Sequence, residues 1–128
     1  MNPPIPVLRS LDETKTRRFY QDFLGFRVDW EHRFAAGMPL YRQVSRGNCL
    51  LHLSEHQGDC APGARVRIEV PDLDAYLEHL RASPSRLGLS RSDQLGQVEQ
   101  QPWGLREVSL SDPSGNWLTL YAPSVLPN

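Results

Sequence analysis

Residues 101–122 read QPWGLREVSLSDPSGNWLTLYA, and this stretch decides the fold. At its centre the run 112–116, Asp-Pro-Ser-Gly-Asn, carries strong turn chemistry, because proline presets φ, glycine permits positive φ, and Asp and Asn side chains bond nearby backbone. On either side, the runs 105–110 and 117–121 alternate apolar with polar residues, which is the period of half-buried strands. The stretch therefore predicts a β-hairpin that is preceded by an exposed Trp-Gly loop.

Two amphipathic helices are predicted upstream of this hairpin. In the second, from about residue 72 to 82, apolar residues recur at i, i+3, i+4 and i+7: Leu73, Tyr76, Leu77 and Leu80. In the first, from about residue 11 to 24, the equivalent face is Thr16, Phe19, Tyr20 and Phe23. Asp12 and Asp72 are the expected N-caps, since aspartate accepts hydrogen bonds from the free N–H groups of a first helical turn.

Extended runs flank each helix in the same order, one before it and three after it. The runs are 5–9, 26–33, 40–45 and 48–54 in the first half, and 65–70, 97–101 and the closing hairpin in the second. This pattern predicts an α+β fold of two βαβββ modules, one over about residues 4–54 and one over about 64–122. The linker 55–63 is rich in Gly, Pro and polar residues, and the stretch 83–96 is predicted to be a mobile loop.

Length and composition predict one globular domain over residues 1–128. The formal net charge of −1 provides no basic field for nucleic acid and no strong acidity for a polycationic partner. The N-terminal residues do not resemble a secretory signal, and no run is apolar enough to span a bilayer, so a cytoplasmic protein is expected. Cys49 and Cys60 are then expected to be free thiols, with a disulfide between them as the alternative.

The closing stretch resembles the final hairpin of the glyoxalase/bleomycin-resistance/extradiol-dioxygenase (vicinal oxygen chelate) superfamily, and in particular its bleomycin-resistance branch. The opening stretch 5–28, IPVLRSLDETKTRRFYQDFLGFRV, resembles the strand, Asp-capped helix and Leu-Gly-Phe elbow that begin such domains. The likeness runs from about Ile5 to Ala122. It implies two modules packed edge to edge into a half-open mixed sheet, with helices outside and a cup inside. It also implies a homodimer in which both subunits wall the ligand cavity.

Strand alternation predicts which side chains face this cup, because successive residues point to opposite faces of a sheet. The candidate ligand-binding residues are His52, Arg65, Arg67, Glu69, Glu107, Trp117, Thr119 and Tyr121, joined by Trp103 from the loop before the hairpin. Leu50 and Ser54 are expected beside His52. The alternative interpretation of these positions is an ordinary polar sheet face that a dimer interface partly covers. For Trp103 the alternative is a packed turn residue that anchors the hairpin.

The resemblance also implies where a metal would lie, since superfamily enzymes hold a divalent cation at four strand positions. Those positions fall on Ile5, His52, Arg65 and Thr119. Isoleucine cannot ligate, arginine is a cation and threonine is a weak ligand, so we expect no metal and no other cofactor. The polar loop around Glu55, with His56, Asp59 and Cys60, has no zinc-site spacing. No catalytic residue can be assigned.

The sequence therefore predicts a metal-independent small-molecule binding protein, with sequestration of a bleomycin-type antibiotic as the leading role. Phe34 and Tyr41 add aromatic surface to the tryptophans, while Arg65 and Arg67 favour an anionic or zwitterionic aromatic ligand over a purely cationic one. One alternative is a superfamily enzyme, a lyase, isomerase or dioxygenase, with an atypical active site. Another is a ligand-sensing or structural module without chemistry of its own.

Overall fold

The computed structural model describes residues 1–89 and 95–124 and has the predicted α+β architecture. The first module contains β1 (Val7–Arg9), α1 (Glu13–Arg17), a π-helical turn (Arg18–Phe23), β2 (Arg27–His32), β3 (Tyr41–Arg46) and β4 (Cys49–Ser54). The second contains β5 (Arg65–Glu69), α2 (Leu73–Ala82), a 3₁₀ turn (Pro84–Gly88), β6 (Glu99–Gln100), β7 (Leu105–Ser111) and β8 (Trp117–Pro123). The βαβββ order of both modules is confirmed.

Each module forms its own four-stranded mixed sheet. The strand order is β1-β4-β3-β2 in the first sheet and β5-β8-β7-β6 in the second. The outer strands β1 and β5 run parallel to their neighbours, and the other pairs are antiparallel. The predicted loop 83–96 begins with the 3₁₀ turn, and its residues 90–94 lie outside the described part of the chain.

The first helix has the predicted N-cap, but it is not a regular α-helix over its whole length. The Asp12 carboxylate accepts a hydrogen bond from Lys15 N at 2.9 Å, as expected of an N-cap, whereas the side chain of Asp72 makes no such bond at the start of α2. At the end of the helix Leu24 N donates to Phe19 O, five residues back, so the last turn is a π-helix. No helix within residues 1–89 and 95–124 has the length and apolar character to cross a membrane.

An apolar core joins the two modules. It contains the buried faces of both helices together with the inward residues of both sheets, among them Leu51, Leu53, Leu118 and Leu120. The helices therefore cover one face of each sheet. The other side, which we call the open face, carries the polar side chains of the alternating strands.

The turn between β7 and β8 fixes the second module onto the first. The Asp112 carboxylate accepts hydrogen bonds from Tyr20 Oη at 2.6 Å, Ser114 N at 2.9 Å, Asn116 N at 2.8 Å and Asn116 Nδ2 at 2.8 Å. Asn116 Nδ2 also donates to Arg9 O at 2.9 Å. Burial, together with the Asp112 carboxylate, raises the pKa of Tyr20 well above its usual value, so this hydroxyl remains a donor. The turn that shapes the hairpin thus also makes polar contacts between the modules, in addition to the apolar core.

Candidate ligand-binding site

The open face of the second sheet carries seven of the nine residues predicted to bind ligand. Three cross-strand rows run over β5, β8 and β7: Arg65–Trp117–Ser111, Arg67–Thr119–Ser109 and Glu69–Tyr121–Glu107. Residues opposite each other in a sheet share a face, so the predicted alternation of these strands is confirmed. His52 lies on the first sheet and Trp103 on the turn before β7.

Arg65 lies across the first two rows of this face. Its Nη1 donates to Thr119 Oγ1 at 3.2 Å, and its guanidinium carbon stands 5.6 Å from the centroid of the Trp117 ring. Thr119 is only 2% exposed. Thr119 therefore has the predicted orientation but supports Arg65 from below and presents almost no surface to a ligand.

Arg67 is also held by a hydrogen bond and an aromatic ring, but its hydrogen-bond acceptor is a carboxylate. Its Nη2 donates to Glu107 Oε1, and its guanidinium carbon stands 4.9 Å from the centroid of the Tyr121 ring. Glu107 is 8% exposed. The positive charge of Arg67 is thus compensated within the sheet, whereas Arg65 forms no ion pair within residues 1–89 and 95–124. Attraction of an anion by Arg65 stays a prediction.

The open face of the first sheet carries a cluster of rings, Trp30, Tyr41 and His52, which we call the aromatic wall. The Trp30 and Tyr41 rings are stacked, with centroids 5.9 Å apart and planes 10° apart. The His52 ring meets both edge-on, at 5.3 Å from Trp30 and 5.2 Å from Tyr41. Trp30 remains 43% exposed, so ring surface is left for a further contact.

Hydrogen bonds fix the aromatic wall and the tautomer of His52. His52 Nε2 lies 3.0 Å from Gln43 Oε1, an oxygen that can only accept, so Nε2 carries the proton. Nδ1 then accepts from Tyr41 Oη at 2.7 Å, and Gln43 Nε2 donates to Asp29 at 3.0 Å. Burial lowers the pKa of His52, which favours this neutral ring. Both ring nitrogens are therefore engaged within the sheet.

Sequence reasoning missed Trp30 because of a register shift in β2. Val28 pairs with Val44, but the next paired residue is Trp30, opposite Gln43, so Asp29 is an extra residue in a β-bulge. Without the bulge Trp30 would share the core-facing side of Val28. With it, Trp30 shares the open face of the sheet, and no signal in the sequence marks the shift.

Ser54 lies on the predicted face, opposite Tyr41, but it presents no surface to a ligand. It is fully buried, and its Oγ donates to Asp59 Oδ2 at 2.6 Å and accepts from His56 N at 3.1 Å. Strand β4 ends at Ser54, and these two hydrogen bonds stabilise the turn into the linker. Leu50, at the other end of β4, is exposed as expected.

Trp103 is 61% exposed, on a turn where Gly104 has a φ of 85°. A side chain this exposed is not the packed anchor of the hairpin, and the aromatic-surface interpretation fits better. We expect Trp103→Ala to change the free energy of unfolding by less than about 0.5 kcal/mol, as for surface substitutions in general. The same variant should bind an aromatic ligand more weakly. Denaturant titration and calorimetry check the two expectations, and a large loss of stability would contradict this interpretation.

The four positions of the family metal site do not form a ligand set. His52 has both nitrogens engaged, and Thr119 Oγ1 accepts a hydrogen bond from Arg65, whose positive charge would repel a cation. Within residues 1–89 and 95–124, no three His, Cys, Asp or Glu side chains are placed to hold a metal ion. Cys49 and Cys60 are free, and burial raises the pKa of both thiols.

A family model described as "Glyoxalase superfamily protein" matches residues 1–122. The chain belongs to the glyoxalase superfamily. No sequence among the curated proteins matches it.

Several solved structures share the fold over nearly the whole chain. A bleomycin-binding protein complexed with bleomycin has 25% identity and a TM-score of 0.73, covering 97% of this chain and 100% of its own. A bleomycin resistance determinant encoded on the transposon Tn5 has 26% identity and a TM-score of 0.72, covering 98% and 100%. The bleomycin-binding protein of Streptomyces verticillus, complexed with copper(II)-bleomycin, has 31% identity and a TM-score of 0.67, covering 94% of each chain. The resemblance to bleomycin-binding superfamily members is thereby confirmed.

Proposed function

We propose that this protein is a metal-independent, cytoplasmic binding protein that sequesters a bleomycin-type antibiotic. One observation carries the proposal: each sheet has an open face that the helices do not cover. The first open face carries stacked rings, and the second carries arginines held in place by neighbouring side chains. Three similar structures are described as bleomycin-binding or bleomycin-resistance proteins, which supports the same class of ligand.

The arrangement suits binding because its side chains are held in place before a ligand arrives. Tyr41 and Gln43 bond both nitrogens of His52, and Tyr121 and Trp117 support the arginines above them. Groups that are ordered in advance lose little conformational entropy on binding, and aromatic rings add about 0.5–1.5 kcal/mol per stacked contact beyond burial. A planar aromatic antibiotic matches such a surface.

A homodimer completes this proposal. In a single chain Trp30, Leu50 and Trp117 are all exposed on the open faces, and no other strand of residues 1–89 and 95–124 pairs with the outer edges of β2 and β5. Exposed apolar surface and strand edges tend to be covered by a partner. A second copy that faces these sheets would turn each open face into one wall of a cavity.

Light scattering should therefore give about twice the chain mass of 14.6 kDa at micromolar concentration. A stable dimer should bury more than about 1,000 Å² in total. A monomer at this concentration would contradict the dimer and leave each open face as a one-sided surface.

The proposed function is tested by titrating chelator-treated protein with metal-free bleomycin in a calorimeter. We expect a dissociation constant of about 1 μM or lower, or about −8 kcal/mol. Elemental analysis should find no stoichiometric Ni, Zn, Fe or Mn, and chromatography should recover the antibiotic unchanged. Binding that needs an added metal, or conversion of the ligand, would favour the superfamily-enzyme alternative; absence of binding would refute the proposal.

A further inference from the structure

Charge is unevenly distributed along the open face of the second sheet. At one end lies Arg65, stacked near Trp117, which we call the arginine end. At the other end Glu69, Tyr121 and Glu107 form one cross-strand row, and β6 extends it with Glu99, which pairs with Glu107. We call this row of four residues the acidic row.

Internal ion pairing does not neutralise either end. Glu107 forms an ion pair with Arg67. Glu69, Glu99 and Arg65 belong to none of the ion pairs formed within residues 1–89 and 95–124. The acidic row thus keeps two uncompensated carboxylates against the single guanidinium of the arginine end. Both Glu69 and Glu99 are exposed and face the same side as the aromatic ring of Tyr121.

The two ends are far enough apart to act separately. Four residue steps along β5 lead from Arg65 to Glu69, which is about 13 Å in an extended strand. Exposed charges at this distance are largely screened at physiological salt, where the Debye length is about 8 Å. Each end is therefore available to a charged group of a ligand that spans the sheet.

We propose that this face selects a dipolar aromatic ligand. Its cationic group lies at the acidic row beside Tyr121, and its anionic group lies at the arginine end beside Trp117. This inference rests on the proposed function, since it takes the open face as the ligand surface, and it names the chemistry of the ligand more narrowly. The pairing of Arg67 with Glu107 is what turns an apparently cationic face into one with two poles.

Two probes with the same ring and opposite charge test the proposal by NMR: benzoate and benzylammonium. Benzoate should shift the indole N–H signal of Trp117, and benzylammonium should shift the amide signals around Glu69 and Tyr121. Arg65→Gln should weaken benzoate about five-fold, the scale of an exposed ion pair, and leave benzylammonium unchanged. Glu69→Gln should do the reverse. Arg27→Gln, which removes an exposed arginine from the first sheet, should change neither.

The proposal is overturned if both probes shift signals at the same end or if neither produces end-specific shifts at about 50 mM, since even millimolar affinity would be visible there. It is also overturned if Arg27→Gln acts as strongly as Arg65→Gln, because the effect would then be one of net charge. The bleomycin titration is independent. If bleomycin fails to bind while the two poles appear, the antibiotic role fails alone; if bleomycin binds without the poles, only the dipolar selection fails.

Discussion

Replacing Asp112 with alanine is expected to lower the free energy of unfolding by about 3–5 kcal/mol, because it leaves several buried donors without an acceptor. Tyr20 Oη and both nitrogens of Asn116 lose a partner at once, and Tyr20 is almost completely buried. The Tyr20–Asp112 hydrogen bond between the modules is lost with them, while the apolar core and the bond from Asn116 Nδ2 to Arg9 O remain. Urea denaturation of wild type and variant, followed by circular dichroism, measures the change.

Two further variants separate the hydrogen bonds from a general effect of substitution. Tyr20→Phe removes the donor as well, so Asp112→Ala should cost less in a Tyr20→Phe background than alone, with a coupling energy above about 0.5 kcal/mol. Asp22→Ala, at an exposed aspartate of the π-helical turn, should have little effect. A loss of less than about 1 kcal/mol for Asp112→Ala would mean that the turn does not fix the two modules together.

Replacing Trp30 with alanine should raise the dissociation constant for bleomycin about 30-fold, or about 2 kcal/mol, the scale of a binding hot spot. Trp30 is the outer ring of the aromatic wall, already stacked on Tyr41 and still partly exposed. Its removal takes away the ring surface without changing the charge of the site. Isothermal titration of both proteins with metal-free bleomycin measures the effect.

Trp30→Phe keeps a flat ring and should retain part of the affinity, which distinguishes stacking from loss of bulk. Leu87→Ala removes an exposed apolar side chain from the 3₁₀ turn and should leave binding unchanged. The unfolding free energy of Trp30→Ala should stay close to wild type because the ring is partly exposed. Unaltered bleomycin binding by a folded Trp30→Ala protein would exclude the aromatic wall from the site.

Local chemistry explains what could be predicted. The 112–116 turn, the Asp12 cap and the alternation of β5, β7 and β8 each depend on residues a few positions apart, so the sequence contains all that determines them. For this reason seven candidate residues of the second sheet were placed on the correct face.

What escaped prediction depends on contacts between distant residues or on one inserted residue. Arg67 and Glu107 are 40 positions apart, and only the folded sheet brings them together, so the charge of the face could not be read from either residue. The π-helical turn and the bulge at Asp29 each break a period that the sequence otherwise keeps. A prediction that assumes an unbroken period assigns every side chain after such a break to the wrong face.

The bulge at Asp29 also bears on how this binding surface is inherited. Because Asp29 is the extra residue, a single-codon deletion of Asp29 would leave Val28 opposite Val44 and Trp30 opposite Gln43 in regular alternation, so the indole would stay in the aromatic wall. A single-codon insertion after Val28 in a relative without the bulge would likewise be absorbed as a bulge, with the ring still on the open face. This strand can thus gain or lose one codon between relatives while the side chains beyond the bulge keep their faces, so its length can vary without loss of the ring proposed to contact the ligand.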